Sequence, residues 1–251
     1  VVEASSFRLA HSRRFAPRVG LWLNFAPDHL DVHRSLNDYH RAKARVWADQ
    51  GVGDVAVVNA EDPVVDAAGV ERAALARDLG IDGPDVVRFG LAPSVAGRPV
   101  EFHQDGDALV GPIGPNGEPA VLLRVEDLHR ALPHDRSNAL AAAATALCGG
   151  ASIDGVRAAL TDFRGLAHRV ELVGESAGVR WFDDSKATAP HATLAALRGF
   201  DSVVLVAGGY CGVAHTDGQQ INRAEARADR NHAVRHGGDG GRRRVGRADG
   251  A

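Results

Sequence analysis

Short continuous apolar runs alternate along the chain with stretches whose apolar positions recur at helical spacing, which predicts strands alternating with helices. Val1-Val2 reads as the end of a buried strand, and Glu3-Ala4-Ser5-Ser6 as the polar loop after it. Arg18 to Phe25 (RVGLWLNF) is an apolar run ending at Asn24 and then Pro27-Asp28, so it predicts a buried strand with polar groups at its carboxyl end. Ser35 followed by Asp38 resembles a capping box, and Leu36, Tyr39, Val46 and Trp47 carry a helix through about Asp49. After Gly51-Val52-Gly53, Asp54 to Asn59 (DVAVVN) predicts the next strand, and Asp62-Pro63 opens an alanine-rich helix that stops near Gly80. Between Pro84 and Glu118 the stretches are short and alternating, with turn chemistry at Gln104-Asp105-Gly106-Asp107 and Asn116-Gly117, which predicts hairpins and an antiparallel edge. Ser137 to Leu147 predicts a helix, and Ile153, Val156, Leu160 and Phe163 another that Gly165 ends. The rhythm then restarts: Val170-Glu171-Leu172-Val173 and Val179-Arg180-Trp181-Phe182 as paired strands, Pro190 as a first helical residue, and Ser202 to Val206 as a buried strand.

This pattern divides the chain into a larger α/β domain over residues 1–165, the beginning of a second over 166–209, and an aberrant stretch over 210–251. The last stretch has no Leu, Phe or Trp and no period, so it is expected to be disordered, with Arg242-Arg243-Arg244 a solvated charge run. The change after Gly209 suggests a shifted reading frame or an artificial end, and the opening Val1-Val2-Glu3, without methionine, suggests a chain that starts mid-fold. A chain of 251 residues with 45% hydrophobic content has material for one large domain or parts of two. A net charge of -3 gives no electrostatic reason to expect nucleic acid or an anionic membrane as partner. Cys148 and Cys211 cannot build a disulfide framework and fit a reducing cytoplasm, and no apolar run reaches membrane-spanning length.

Three places concentrate chemistry. Asn24, Asp28, His29, Asp31 and His33 follow a predicted strand, with Glu3 at the end of a neighbouring one; carboxylates with an imidazole suit Mg2+, and the alternative is a capped loop with solvated charges. His29 and His33 are spaced like paired zinc ligands, so a metal-dependent hydrolase using His29, Asp31 and His33 is an alternative, although Leu30 stands where that mechanism needs a glutamate. Lys43 lies on the helix face that carries Tyr39, Val46 and Trp47; a lysine there either snorkels to solvent or has a specific partner or modification. The third place is His168-Arg169 with Asp183-Asp184-Ser185-Lys186-Ala187-Thr188, at a predicted strand-to-helix crevice, where cations for phosphate or carboxylate compete with the alternative of a Thr188 cap and surface ion pairs. No G-x-x-x-x-G-K-[ST] occurs, so a phosphate-cradling loop is absent from these residues.

Taken together, Glu3-Ala4-Ser5-Ser6-Phe7, Leu23 to Asp31 (LNFAPDHLD), Tyr39 to Lys43, Ser137-Asn138-Ala139-Leu140, Gly165-Leu166-Ala167-His168-Arg169 and Asp184-Ser185-Lys186-Ala187-Thr188 resemble, in order, motifs of the Mur ligase family. The last two are most similar to the branch that adds D-glutamate. The resemblance implies an incomplete parallel-sheet central ATPase domain followed by a truncated Rossmann-like α/β domain. It implies an ATP-dependent acid–D-amino-acid ligase whose substrates are UDP-N-acetylmuramoyl-L-alanine and D-glutamate, acting as a cytoplasmic monomer through an acyl phosphate. Residue by residue, it implies Glu3 and His29 as Mg2+ ligands, joined by Lys43 once carbamylated, all three with catalytic roles. It implies Asn138, Arg169 and Asp184 as ATP contacts, and Asn24, Ser5, Lys186 and Thr188 as substrate contacts. Asp135 departs from the family pattern, standing where an asparagine is common. Without the phosphate loop the chain is expected to be an inactive fragment, the alternative being a non-catalytic nucleotide-binding remnant.

Overall fold

The computed structural model describes residues 1–80, 82–208 and 235–236. The chain divides into two compact units, Val1–Gly199 and Phe200–Ala251. The larger unit begins with helix α1 (Ser6–His11), strand β1 (Val19–Trp22), helix α2 (Leu36–Ala44), strand β2 (Val55–Asn59), helix α3 (Pro63–Asp78) and strand β3 (Asp85–Phe89). These strands form a parallel sheet in the order β1-β2-β3, with Val19 opposite Val55 and Val55 opposite Asp85. Alternation along β2 sorts side chains to its two faces. Val57 enters one core with Phe89, Phe102 and Leu140, while Ala56 and Val58 enter a second with Trp22, Trp47 and Val65. The first core is closed by helix α4 (Pro133–Cys148) and α5 (Ile153–Asp162), giving a sheet covered on both sides.

Capping fixes two of these helices where the sequence places them. The Ser35 hydroxyl accepts from the Asp38 amide at the start of α2, and one Asp62 oxygen accepts from the amides of Val64 and Val65 at the start of α3. The other Asp62 oxygen accepts from the Phe25 amide at 2.6 Å, so the cap also anchors the loop leaving β1. Gly20 is required by close approach: a Cβ there would stand 2.8 Å from Cδ1 of Trp47, whose indole N–H donates to the Gly20 carbonyl.

Two small hairpin systems follow β3. Strands β4 (Ser94–Val95) and β5 (Arg98–Pro99) pair antiparallel, and β6 (His103–Asp105), β7 (Ala108–Gly111) and β8 (Ala120–Arg124) form a three-stranded antiparallel sheet. Asp66 on α3 is buried and pairs with Arg88 at 3.0 Å and with Arg98, tying the β4-β5 hairpin to the parallel sheet. After α5 come the antiparallel pair β9 (Glu171–Ser176) and β10 (Val179–Asp183) and helix α6 (Pro190–Leu197). In the second unit Val206–Ala207 (β11) pairs with Arg235–His236 (β12).

Several expectations are corrected. Val1 and Val2 are exposed coil, and among the described residues no strand pairs beside them to bury them. Asp85–Phe89 belongs to the parallel sheet, its valines replacing the hairpin that turn-rich neighbours suggested. The α2 helix ends at Ala44, and Val46 and Trp47 reach the core from turns. The α4 helix starts at Pro133, ahead of Ser137. Ser202 to Val206 is not a buried strand: Val204 and Val206 are exposed, with only two residues paired. The disorder expected over 210–251 concerns residues that lie outside the described ones except for Arg235–His236.

Candidate functional site

The loop leaving β1, α1 and α2 meet in a corner built from aromatic rings and imidazoles. The Ser5 hydroxyl accepts from the Arg8 amide and caps α1, which sets Phe7 and the buried Ser6 toward the loop. His29 takes a left-handed backbone, φ 54°, and its carbonyl accepts from the amides of Val32 and His33. That turn places both imidazoles against Phe7, His29 edge-on at 4.9 Å and His33 stacked at 5.6 Å between centroids. His33 also hydrogen-bonds the Ser6 hydroxyl at 2.9 Å. Tyr39 closes the corner, 5.1 Å from His33, 6.3 Å from His29 and 5.2 Å from Phe25.

Lys43 lies one turn beyond Tyr39, half-buried, with Nζ 5.2 Å from the Tyr39 ring centroid. Burial pulls its ammonium pKa down, and the Asp28 carboxylate opposes that only partly. Tyr39 is pushed up to about 12 by burial, then by the Asp28 charge. Asp28 accepts from the His29 amide at 2.8 Å and lies 3.5 Å from its Nε2. The corner therefore brings Asp28, His29 and Lys43 around one phenol ring.

Other candidates stand apart. Glu3 is exposed and makes no hydrogen bond or ion pair among the described residues. The Asn24 side chain is exposed, although its carbonyl accepts from the Trp22 indole at 2.9 Å. His29, Asp31 and His33 do not converge as a zinc site would require, since His29 begins a non-helical turn. Among the described residues, the trio of His, Cys, Asp or Glu whose donor atoms lie within 4.8 Å of one another is His168, Glu171 and Asp183.

That trio belongs to a second cluster. His168 Nδ1 meets an Asp183 oxygen at 2.7 Å, and the His168 amide donates to Glu171 at 2.8 Å. The His168 hydrogen bond, followed by those from Ser185, draws the Asp183 pKa down to about 2. Asp184 accepts from the buried Val170 amide at 3.2 Å, and the Lys186 amide donates to the His168 carbonyl at 3.2 Å. Arg169, Lys186, Thr188 and Asn138 all present exposed side chains.

Residues 1–146 match the Mur ligase middle domain. The chain belongs to the Mur ligase family. It is 37% identical over 210 residues to the UDP-N-acetylmuramoylalanine--D-glutamate ligase of Pelotomaculum thermopropionicum, covering 83% of this chain and 43% of that protein. To the ligase of the same name from Frankia casuarinae it is 42% identical over 213 residues, covering 83% and 41%. Among solved structures it resembles MurF from Acinetobacter baumannii, at 22% identity and a TM-score of 0.48, over 67% of this chain and 34% of that one. The chain thus spans less than half the length of the curated relatives it matches.

In this Mur ligase chain the residue that sequence reasoning missed is Arg130. Its Nε and Nη2 grip both oxygens of Asp135 at 2.8 and 2.7 Å, and its Nη1 donates to the carbonyls of Arg169 at 2.9 Å and Val170 at 2.5 Å. Only Asp135, in its unusual place, hinted that a cation would be needed nearby. Neither periodicity nor local spacing marks a partner so distant in sequence as Val170.

Proposed function

We propose that the chain is the core of an ATP-dependent ligase that joins D-glutamate to UDP-N-acetylmuramoyl-L-alanine in the cytoplasm, as a monomer. Residues 1–165 then belong to the central ATP-binding domain and 166–209 open the C-terminal ligase domain. Curated relatives carrying that activity in their names support the substrates. The observation that carries the chemistry is Lys43, a half-buried amine whose pKa burial lowers and which packs on the same Tyr39 ring as His29.

A neutral amine is the form that reacts with CO2: its lone pair attacks the carbon, the nitrogen gives up a proton, and an anionic carbamate results. Partial burial raises the fraction of Lys43 in that form. The product is an anionic oxygen donor in place of a half-buried cation, and oxygen is the donor that Mg2+ prefers. Glu3, His29 and carbamylated Lys43 would hold the ion, which when bound neutralises charge on phosphoryl oxygens. The exposed Asn138 amide offers a donor and an acceptor to an adenine edge, while Arg169 and Asp184 address the remainder of the nucleotide. Asn24 and the Ser5 loop face the muramoyl substrate, and Lys186 and Thr188 supply a cation and a hydroxyl for D-glutamate carboxylates. The substrate carboxylate attacks the γ-phosphorus of ATP and ADP leaves; the neutral amine of D-glutamate then attacks the carbonyl carbon of the acyl phosphate, gives up a proton and expels inorganic phosphate as the amide forms.

The test has two arms. With 13C-bicarbonate, the chain gives a carbamate carbonyl signal that Lys43→Arg abolishes; no such signal overturns the role of Lys43. In the complete ligase containing these residues, phosphate release from ATP requires both D-glutamate and UDP-N-acetylmuramoyl-L-alanine. Release that follows another amino acid instead overturns the substrate assignment.

A further inference from the structure

We propose that Arg130 is a positioning residue that sets the nucleotide contacts Asn138, Arg169 and Asp184 in register with one another. The proposal rests on the reading of those three residues given above. They lie on separate elements: Asn138 on α4, Arg169 in the loop before β9, and Asp184 after β10. One guanidinium connects all three. On one side it grips Asp135, which also accepts from the Leu132 amide at 3.0 Å and so closes the first turn of the helix bearing Asn138. On the other it holds the carbonyls of Arg169 and Val170. The amide of that same Val170 donates to Asp184.

The segment so held resists its own shape. His168 and Val170 both have left-handed backbones, φ 63° and 48°, a conformation that is strained for non-glycine residues and most so for a β-branched side chain. A conformation of that kind persists only where its surroundings fix it; the Lys186 amide holds the His168 carbonyl, and the Arg130 fork holds those of Arg169 and Val170. Lysine cannot replace it, because an ammonium is a point donor and cannot span a carboxylate and two carbonyls in one plane.

The experiment titrates AMP into the full 251-residue chain, following the Asn138 side-chain amide by NMR and the exchange rate of the Val170 amide. In Arg130→Ala, AMP affinity falls by about tenfold, the scale expected when contact groups shift by a fraction of an ångström. Val170 exchange accelerates, while the amides of Val57 and Leu140 in the core keep their protection. Arg130→Lys does not restore affinity. Should Arg130→Ala fail to fold, Asp135→Asn keeps one acceptor oxygen, for the Leu132 amide, while it removes the charge and turns the other oxygen that Arg130 grips into an NH2 donor; it weakens AMP in the same direction. Faster Val170 exchange with unchanged AMP affinity overturns the proposal and leaves Arg130 a structural staple. A wild-type chain that binds no AMP, with Asn138→Ala equally silent, overturns the nucleotide reading and the proposal with it.

Discussion

Lys43 holds its ammonium 5.2 Å from the centroid of the Tyr39 ring, on a helix that buries Tyr39 and Ala42. The ring face favours the cation and so does Asp28, yet burial outweighs them and lowers the pKa. A lysine that binds its proton less well when folded destabilises the fold at neutral pH. That penalty is fully present below the lowered pKa and fades as pH rises toward the ordinary lysine value of 10.5.

The first prediction follows from that sign. In CO2-free buffer, the stability of wild type relative to Lys43→Met rises with pH across that window, measured as the difference between urea midpoints. Using the difference cancels the titration of Tyr39, common to both proteins. A difference flat with pH would show that Lys43 reaches water freely.

Asp183 gives the opposite sign. Its pKa is depressed to about 2, so the hydrogen bonds from His168 and Ser185 contribute stability above the ordinary aspartate range. That contribution disappears as pH falls through about 2. Hydrogen exchange of the Ser185 amide is expected to quicken over this acid range in wild type and to show no such transition in Asp183→Asn.

Gly20→Ala tests packing on the sheet. The added methyl meets the fully buried Trp47, which is held by its own hydrogen bond to the Gly20 carbonyl and cannot easily yield. Overpacking of this kind costs about 1–3 kcal/mol, readable by urea denaturation. No loss of stability would mean that the indole has room to move.

Asp66→Ala removes the carboxylate that Arg88 and Arg98 share. Arg88 is only 15% exposed, whereas Arg98 is 42% exposed and can turn outward. One buried cation is therefore left unpaired, at a cost of about 3–5 kcal/mol. Arg98→Ala should cost less than half as much in the same denaturation experiment.

The parallel core was legible because its signals are local. Ser35 and Asp62 announce α2 and α3 by capping chemistry, and the valines of β2 report a strand covered on both faces. Pro190 marked α6 in the same way. Strand pairing was less legible, since Asp85–Phe89 could join a hairpin or a parallel sheet and only its long-range partner β2 decides. Within the candidate site, Lys43 stood out as a charge on an apolar face. The packing of two imidazoles against Phe7 and Tyr39, and the reach of Arg130 to Val170, depend on how distant loops fold back, and no spacing encodes that.

The fork joining Arg130 and Asp135 also limits how this chain can evolve. Each charge is the other's solvent substitute, so changing either alone strands its partner among carbonyls and helix amides. An asparagine at position 135 would be tolerated best after position 130 had already lost its charge, and an arginine at 130 only once an acid stood at 135. The two sites are thus expected to covary, and a sequence with one half of the pair should be the rare intermediate between two stable solutions.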